Sequence, residues 1–377
     1  MRRDLTALLS QLVTIDSVNP SLVAGGAGEA EIAAFIAGWA REAGLEPDVL
    51  EETAGRPSVL VRAAGTGGGR TLLLCGHTDT VNVEGMTEPH APRVDGDRLY
   101  GRGAYDMKAG LAAALIAARE AAGMGLAGDV VVAAVADEEH ESIGVQETLR
   151  AVRADAAIVT EPTELAIAVA HKGFVWSEVQ VEGRAAHGSR PHLGVDAIVK
   201  MGPVLTEVGA LDEALGGREH PLLGRGSVHA SVIEGGVEMS SYPARCVLGL
   251  ERRTLPGDTR ADIERELAGL LDRCRAADPE LDAEQRTLLV REPFEVDPDA
   301  ELVRTTSAAA AEVLPEAPAI GGASYWADAA FIAAADIPTV MFGPSGEGAH
   351  AIEEWVSLPD TEAVARTLIG VASRVCA

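Results

Sequence analysis

At 377 residues the chain is too long for one ordinary core and predicts about two to three domains. Its formal net charge of −27 excludes a nucleic-acid backbone as the natural partner, argues against an anionic membrane surface, and mostly describes a well-solvated exterior. The apolar fraction of 47% is ample for burial, but with aromatics at 3% the cores have to be built from Ala, Val, Leu and Ile.

In chain order, Leu5, Leu8, Leu9, Leu12 and Val13 have helical spacing, so the N-terminus reads as an amphipathic helix rather than a signal peptide. Ile32, Phe35, Ile36 and Trp39 predict a second helix after a break between Ser17 and Pro20. Short apolar runs follow at 59–61, 72–75, 130–135, 158–159 and 338–342. They are too short for helices and too continuous for half-exposed strands, which predicts parallel strands buried on both faces. With helical segments between them, notably 107–122, they predict an α/β domain with a mostly parallel sheet.

The middle of the chain has a different pattern. Apolar and polar residues alternate over 174–181, as in a half-exposed strand. A helix at 195–211, strands at 227–233 and 244–250, a helix at 258–275 and a strand at 286–290 complete the order β-α-β-β-α-β of a ferredoxin-like module. The expected organisation is a catalytic domain in two parts, 1–172 and 291–377, with 173–290 inserted between them. The four cysteines, Cys75, Cys246, Cys274 and Cys376, are far apart and fit reduced thiols. No apolar stretch approaches the roughly 20 residues needed to cross a bilayer, so the expected location is the cytoplasm.

Ligands of open α/β sheets bind outside the carboxyl ends of the strands, and here those ends carry ionisable residues. His77 and Asp79 follow the strand ending at Cys75, and Glu138 and Glu139 follow the run that ends at Ala136. Glu161 follows Thr160 and precedes Pro162, while His350 lies in a loop with Gly343, Gly346 and Gly348. Asp106 falls after the turn Gly101-Arg102-Gly103-Ala104-Tyr105, at the expected start of a helix whose N-terminus favours a carboxylate. Each residue alone has an ordinary explanation: an N-cap, a solvated acidic loop, a surface histidine. Their convergence on several strand ends predicts a site for two divalent metals about 3.5–4 Å apart, with one histidine per metal, Glu139, Glu161 and a bridging Asp106. Zinc takes imidazole and carboxylate in open catalytic sites. Glu138, beside a ligand but not needed as one, is then placed as general base, and Asp79 as the partner of the other His77 nitrogen. The pattern predicts a metal-dependent hydrolase.

The segments Gly76-His77-Thr78-Asp79-Thr80-Val81, Gly101-Arg102-Gly103-Ala104-Tyr105-Asp106-Met107-Lys108-Ala109-Gly110, Asp137-Glu138-Glu139, Thr160-Glu161-Pro162 and Gly348-Ala349-His350 resemble those of the acetylornithine deacetylase/succinyl-diaminopimelate desuccinylase family. This dizinc metallopeptidase family also includes aminoacylases and glutamate carboxypeptidases. The resemblance implies His77, Asp106 and Glu161 on one metal, Asp106, Glu139 and His350 on the other, Glu138 as base and Asp79 as the orienting residue. Two zinc ions are implied, with cobalt or manganese as alternatives. It further implies that the inserted domain is a lid and dimerisation module, and hence a homodimer. His187, within Gly183-Arg184-Ala185-Ala186-His187-Gly188-Ser189, corresponds to a histidine that reaches the partner's active site, and Arg253 to an arginine that grips the substrate carboxylate. Ser240 stands where many relatives carry Asn, and Glu251 where Asp is usual, which leaves the substrate's identity open. The expected reaction is hydrolysis of an N-acyl amino acid by a metal-bridging water. A carboxypeptidase or dipeptidase, acting on a short peptide at the same site, is the alternative. A non-catalytic metal-stabilised binding protein would have no need to retain Glu138.

Overall fold

The computed structural model describes residues 1–377, which divide into two compact units. One consists of Met1–Val169, Val296–Gly321 and Ala327–Ala377, the other of Ala170–Glu295 and Gly322–Trp326.

In the first unit the sheet runs in the order Glu46–Leu50, Ser58–Ala63, Val130–Val135, Leu72–His77, Ala156–Val159, Thr339–Met341, Ile167–His171. The four central strands, from Val130–Val135 to Thr339–Met341, are parallel to one another and buried throughout. The run at 59–61 departs from the expectation: Ser58–Ala63 pairs antiparallel with both Glu46–Leu50 and Val130–Val135. Ile167–His171 is antiparallel as well, so the sheet is mixed. The reason is that a continuous apolar run reports burial on both faces and carries no direction. Only residues 51–57 separate Glu46–Leu50 from Ser58–Ala63, too few for the crossover that a parallel pair requires.

Helix α1 (Arg2–Thr14) buries Leu5, Leu8, Leu9, Leu12 and Val13, and α2 (Ala30–Glu42) buries Ile32 and Ile36, as their spacing requires. Helix α3 (Ala109–Ala122) is alanine-rich and almost wholly buried, which lets its backbone lie close to its neighbours. Gly110 marks the tightest approach, since a Cβ there would stand 1.9 Å from the Thr160 carbonyl oxygen. The long C-terminal helix (Leu358–Val375) buries Val364, Leu368 and Val371 in the same core.

The second unit has its own sheet, ordered Ser227–Gly235, Arg245–Thr254, Gly173–Glu182, Asp282–Arg291, with all neighbours antiparallel. Helices Ala197–Leu215 and Arg260–Ala277 complete the β-α-β-β-α-β order. Met201, Val204, Leu267 and Leu270 from the helices pack with Val179, Val181, Leu248 and Leu250 from the strands. A capping box between Thr259 and Asp262 opens the second of these helices. No helix of the protein is long and apolar enough to cross a membrane, and all four cysteines are free and buried.

Candidate dinuclear metal site

The Leu72–His77 strand delivers His77 into a carboxylate cluster, with 1% of its side chain exposed. Its Nε2 lies 3.2 Å from Asp106 Oδ1, 3.7 Å from Glu161 Oε1 and 4.0 Å from Glu138 Oε2. His350 approaches from a loop, with Nε2 3.4 Å from Asp106 Oδ2 and 3.2 Å from Glu139 Oε2. The two oxygens of Asp106 therefore each face a different histidine. Of the residues singled out by sequence, His77, Asp79, Asp106, Glu138, Glu139, Glu161 and His350 come together in the first unit.

The supports of this cluster differ in two places from expectation. His77 Nδ1 is 3.0 Å from the Asp79 carbonyl oxygen and 3.7 Å from its carboxylate, so the main chain of Asp79 makes the closer contact. The Asp79 carboxylate instead accepts the N–H groups of Glu138 (3.1 Å) and Glu139 (3.2 Å), fixing the backbone of the paired glutamates. Asp106 is not a helix N-cap: α3 begins three residues later, and Asp106 has extended φ/ψ angles of −113° and 95° in the turn Ala104–Lys108. Its N–H is held by a side chain, Glu354, at 3.0 Å. Glu161 is backed by Gly343, where a Cβ would stand 2.0 Å from the Glu161 carbonyl oxygen.

Sequence reasoning missed the outer ring. Asn19 donates to Asp79 Oδ2 (2.8 Å) and Asp137 Oδ1 (3.0 Å), and Arg56 pairs with Glu29 and Asp137, each at 2.7 Å. Asn19 follows the first helix and Arg56 sits in a loop, and neither position has a local pattern that marks it. Glu354 had a faint signal: it is an acid four residues after His350, directly before Trp355 and Val356.

Five carboxylates converge here: Asp79, Asp106, Glu138, Glu139 and Glu161. Their ion-pair partners within 4.0 Å are the two histidines. Burial pushes the Glu138 and Glu161 carboxyls well above the usual range. Burial also opposes ionisation of Asp106, yet the hydrogen bonds from His350 and His77 hold it well below the ordinary carboxylate value. His350 is raised to about 10 by its hydrogen bonds to Asp106 and Glu139. His77 is raised too, because Glu161 and Asp106 outweigh the burial that disfavours its cation. Within 4.0 Å the only groups able to carry positive charge beside these five carboxylates are two imidazoles, a role dications fill far better. His77, Glu138 and Glu161 offer donor atoms within 4.8 Å of one another, as do His77, Asp106 and Glu139. Imidazole and carboxylate donors of this kind fit zinc.

His187, Ser240 and Arg253 belong to the second unit. His187 is exposed, with Nδ1 2.8 Å from Ser189 Oγ. Ser240 is also exposed, and its carbonyl accepts the Gly188 N–H at 2.7 Å. Arg253 donates to the Ser324 carbonyl at 2.7 Å and stacks 5.4 Å from the Phe174 ring centroid, with Glu251 at 3.7 Å.

Comparison with known proteins places this geometry in context. Residues 73–374 match the model of peptidase family M20/M25/M40. The chain is 30% identical to the acetylornithine deacetylase of Proteus mirabilis (strain HI4320) over 379 residues, covering 96% of this chain and 94% of that protein. Two crystal structures share the fold. One is the aminopeptidase PepT from Bacillus cereus (TM-score 0.81, 20% identity, 100% and 99% of the two chains covered). The other is a metallo-carboxypeptidase from Sulfolobus solfataricus (TM-score 0.80, 18% identity, 98% of each chain).

Proposed function

The chain belongs to peptidase family M20/M25/M40 and is a hydrolase of C–N bonds; from that premise we propose that it cleaves the amide bond of an N-acyl amino acid, as a deacylase. One observation carries the reading: five carboxylates gathered around two histidines, with no lysine or arginine within 4.0 Å of any of them. The 30% identity to an acetylornithine deacetylase along nearly the full chain supports a deacylase over a peptidase.

In this proposal His77, Asp106 and Glu161 hold one divalent ion, and Asp106, Glu139 and His350 hold the second, with zinc favoured and cobalt or manganese as substitutes. When bound, such ions polarise the scissile carbonyl and acidify water. Glu138 takes a proton from the attacking water on its carboxylate. As the water oxygen bonds to the carbonyl carbon and the C–N bond breaks, Glu138 returns that proton to the leaving nitrogen. Asp79 contributes by fixing the Glu138 and Glu139 main chain and, through its carbonyl, the His77 ring.

The proposal assigns the substrate carboxylate to Arg253, a further polar contact to Ser240, and stabilisation of the developing oxyanion to His187. It also takes the second unit as a lid and dimerisation module of a cytoplasmic homodimer, with His187 acting on the partner's site. Mixing His187→Ala with Glu138→Ala protein is then expected to restore turnover in hybrid dimers; no recovery would count against a shared site. The substrate class is tested by assaying N-acetyl amino acids, N-succinyl amino acids and dipeptides with added zinc or cobalt. Preferential turnover of an N-acyl amino acid is expected, whereas turnover of dipeptides alone would make the enzyme a peptidase.

A further inference from the structure

Glu354 is among the most enclosed acids of the protein, with its side chain fully buried, and the mechanism above gives it no part. Its carboxylate is saturated with donors. Oε1 accepts the N–H groups of Tyr105 (2.8 Å) and Asp106 (3.0 Å). Oε2 accepts the Gly103 N–H (3.0 Å) and Arg102 Nη1 (2.6 Å). The Glu354 carbonyl takes one more N–H of the same turn, that of Gly101, at 3.1 Å.

Arg102 extends the reach of this pair. Its Nη2 donates to the Ala351 carbonyl at 2.9 Å, one residue beyond His350, and its Nε donates to the Asn82 carbonyl at 3.1 Å, three residues beyond Asp79. A single buried ion pair thus ties together three separate segments: the one that follows His77 and Asp79, the turn that presents Asp106, and the loop that presents His350. A buried ion pair is poor evidence of stabilisation, because well-packed apolar residues commonly do as well. What apolar residues cannot supply is a set of directed bonds to five main-chain groups in three segments.

We propose that Glu354 and Arg102 are positioning residues that hold the Asp106 turn and the His350 loop at the spacing needed to take up metal. The inference rests on the two-ion reading of the site. It places the fixed point of the Asp106 carboxylate in a side chain 248 residues away in sequence.

The test is metal affinity, measured by zinc competition against a chromophoric chelator, beside the melting temperature of the metal-free protein. In Glu354→Gln the amide oxygen accepts two of the four donors, while the NH2 group meets the remaining N–H groups and Arg102 loses its counter-charge. Zinc affinity is expected to fall about 10–100-fold, the range typical of supports behind metal ligands. Leu368→Ala, a cavity in the core of the C-terminal helix, serves as control: it lowers the melting temperature but leaves zinc affinity within about twofold. If Glu354→Gln does not fold, Arg102→Lys keeps the charge but loses the planar fork that spans Ala351 and Asn82, and a smaller fall in affinity is expected. Wild-type zinc affinity in whichever variant folds, with only a lowered melting temperature, would overturn the clamp while leaving the metal site intact. A wild-type chain that takes up no zinc would overturn the two-ion reading and the clamp with it.

Discussion

The two histidines of the site occupy opposite environments. His77 ends a central strand and has 1% of its side chain exposed; His350 sits on a loop, at a φ of 61°, with 55% exposed. Glu161 is also enclosed, with 6% of its side chain exposed, and is buttressed by Gly343. The inner half of the site is therefore built by the sheet, the outer half by a loop and its hydrogen bonds. A ligand set fixed by packing loses little freedom on binding an ion, whereas an exposed side chain has to be ordered first. The inner half is expected to bind more tightly and the outer half to exchange.

The largest effect is expected where the halves meet. Asp106 faces both histidines, so Asp106→Ala should lower metal content from about two ions per chain to below one, and reduce turnover on the order of 10³-fold or more. Elemental analysis beside a rate assay checks both. A smaller and more telling change comes from His350→Ala, which is expected to retain one ion through dialysis and lose the other. Equal loss of both ions would erase the distinction between inner and outer halves. Smaller still is Gly343→Ala, whose added methyl meets the Glu161 carbonyl. Overpacking of this kind costs about 1–3 kcal/mol, read as a lower melting temperature, with weakened binding of the tighter ion. Unchanged affinity of that ion would mean that Glu161 is not part of the inner set.

Much of this site is legible in the sequence, and for a specific reason. Strands buried on both faces leave uninterrupted apolar runs, so the polar residues just past them, His77, Glu138 and Glu161, are conspicuous, and His350 stands out in the glycine-containing loop after the last run. The same runs concealed strand direction, because Val59 and Val132 look alike whether their strands are parallel or not. In the second unit the alternation over Gly173–Glu182 comes from a sheet with one covered face, and its β-α-β-β-α-β order was readable for that reason. Asp106 was recognised, but its support was misplaced: a carboxylate next to a helix suggests a helix N-terminus, while the actual anchor is Glu354. Contacts such as Asn19 with Asp79 and Arg102 with Glu354 join residues 60 and 252 positions apart. Sequence spacing offers no period by which such pairs can be found.

The account turns on an unequal division of labour between adjacent glutamates, Glu139 as a ligand and Glu138 as the base. The most direct measurement is metal content and turnover in Glu138→Ala. About two ions per chain should remain, with turnover reduced roughly 10²–10⁴-fold, the contribution expected of a general base. Turnover near the wild-type rate, or loss of the ions together with the activity, would contradict that assignment.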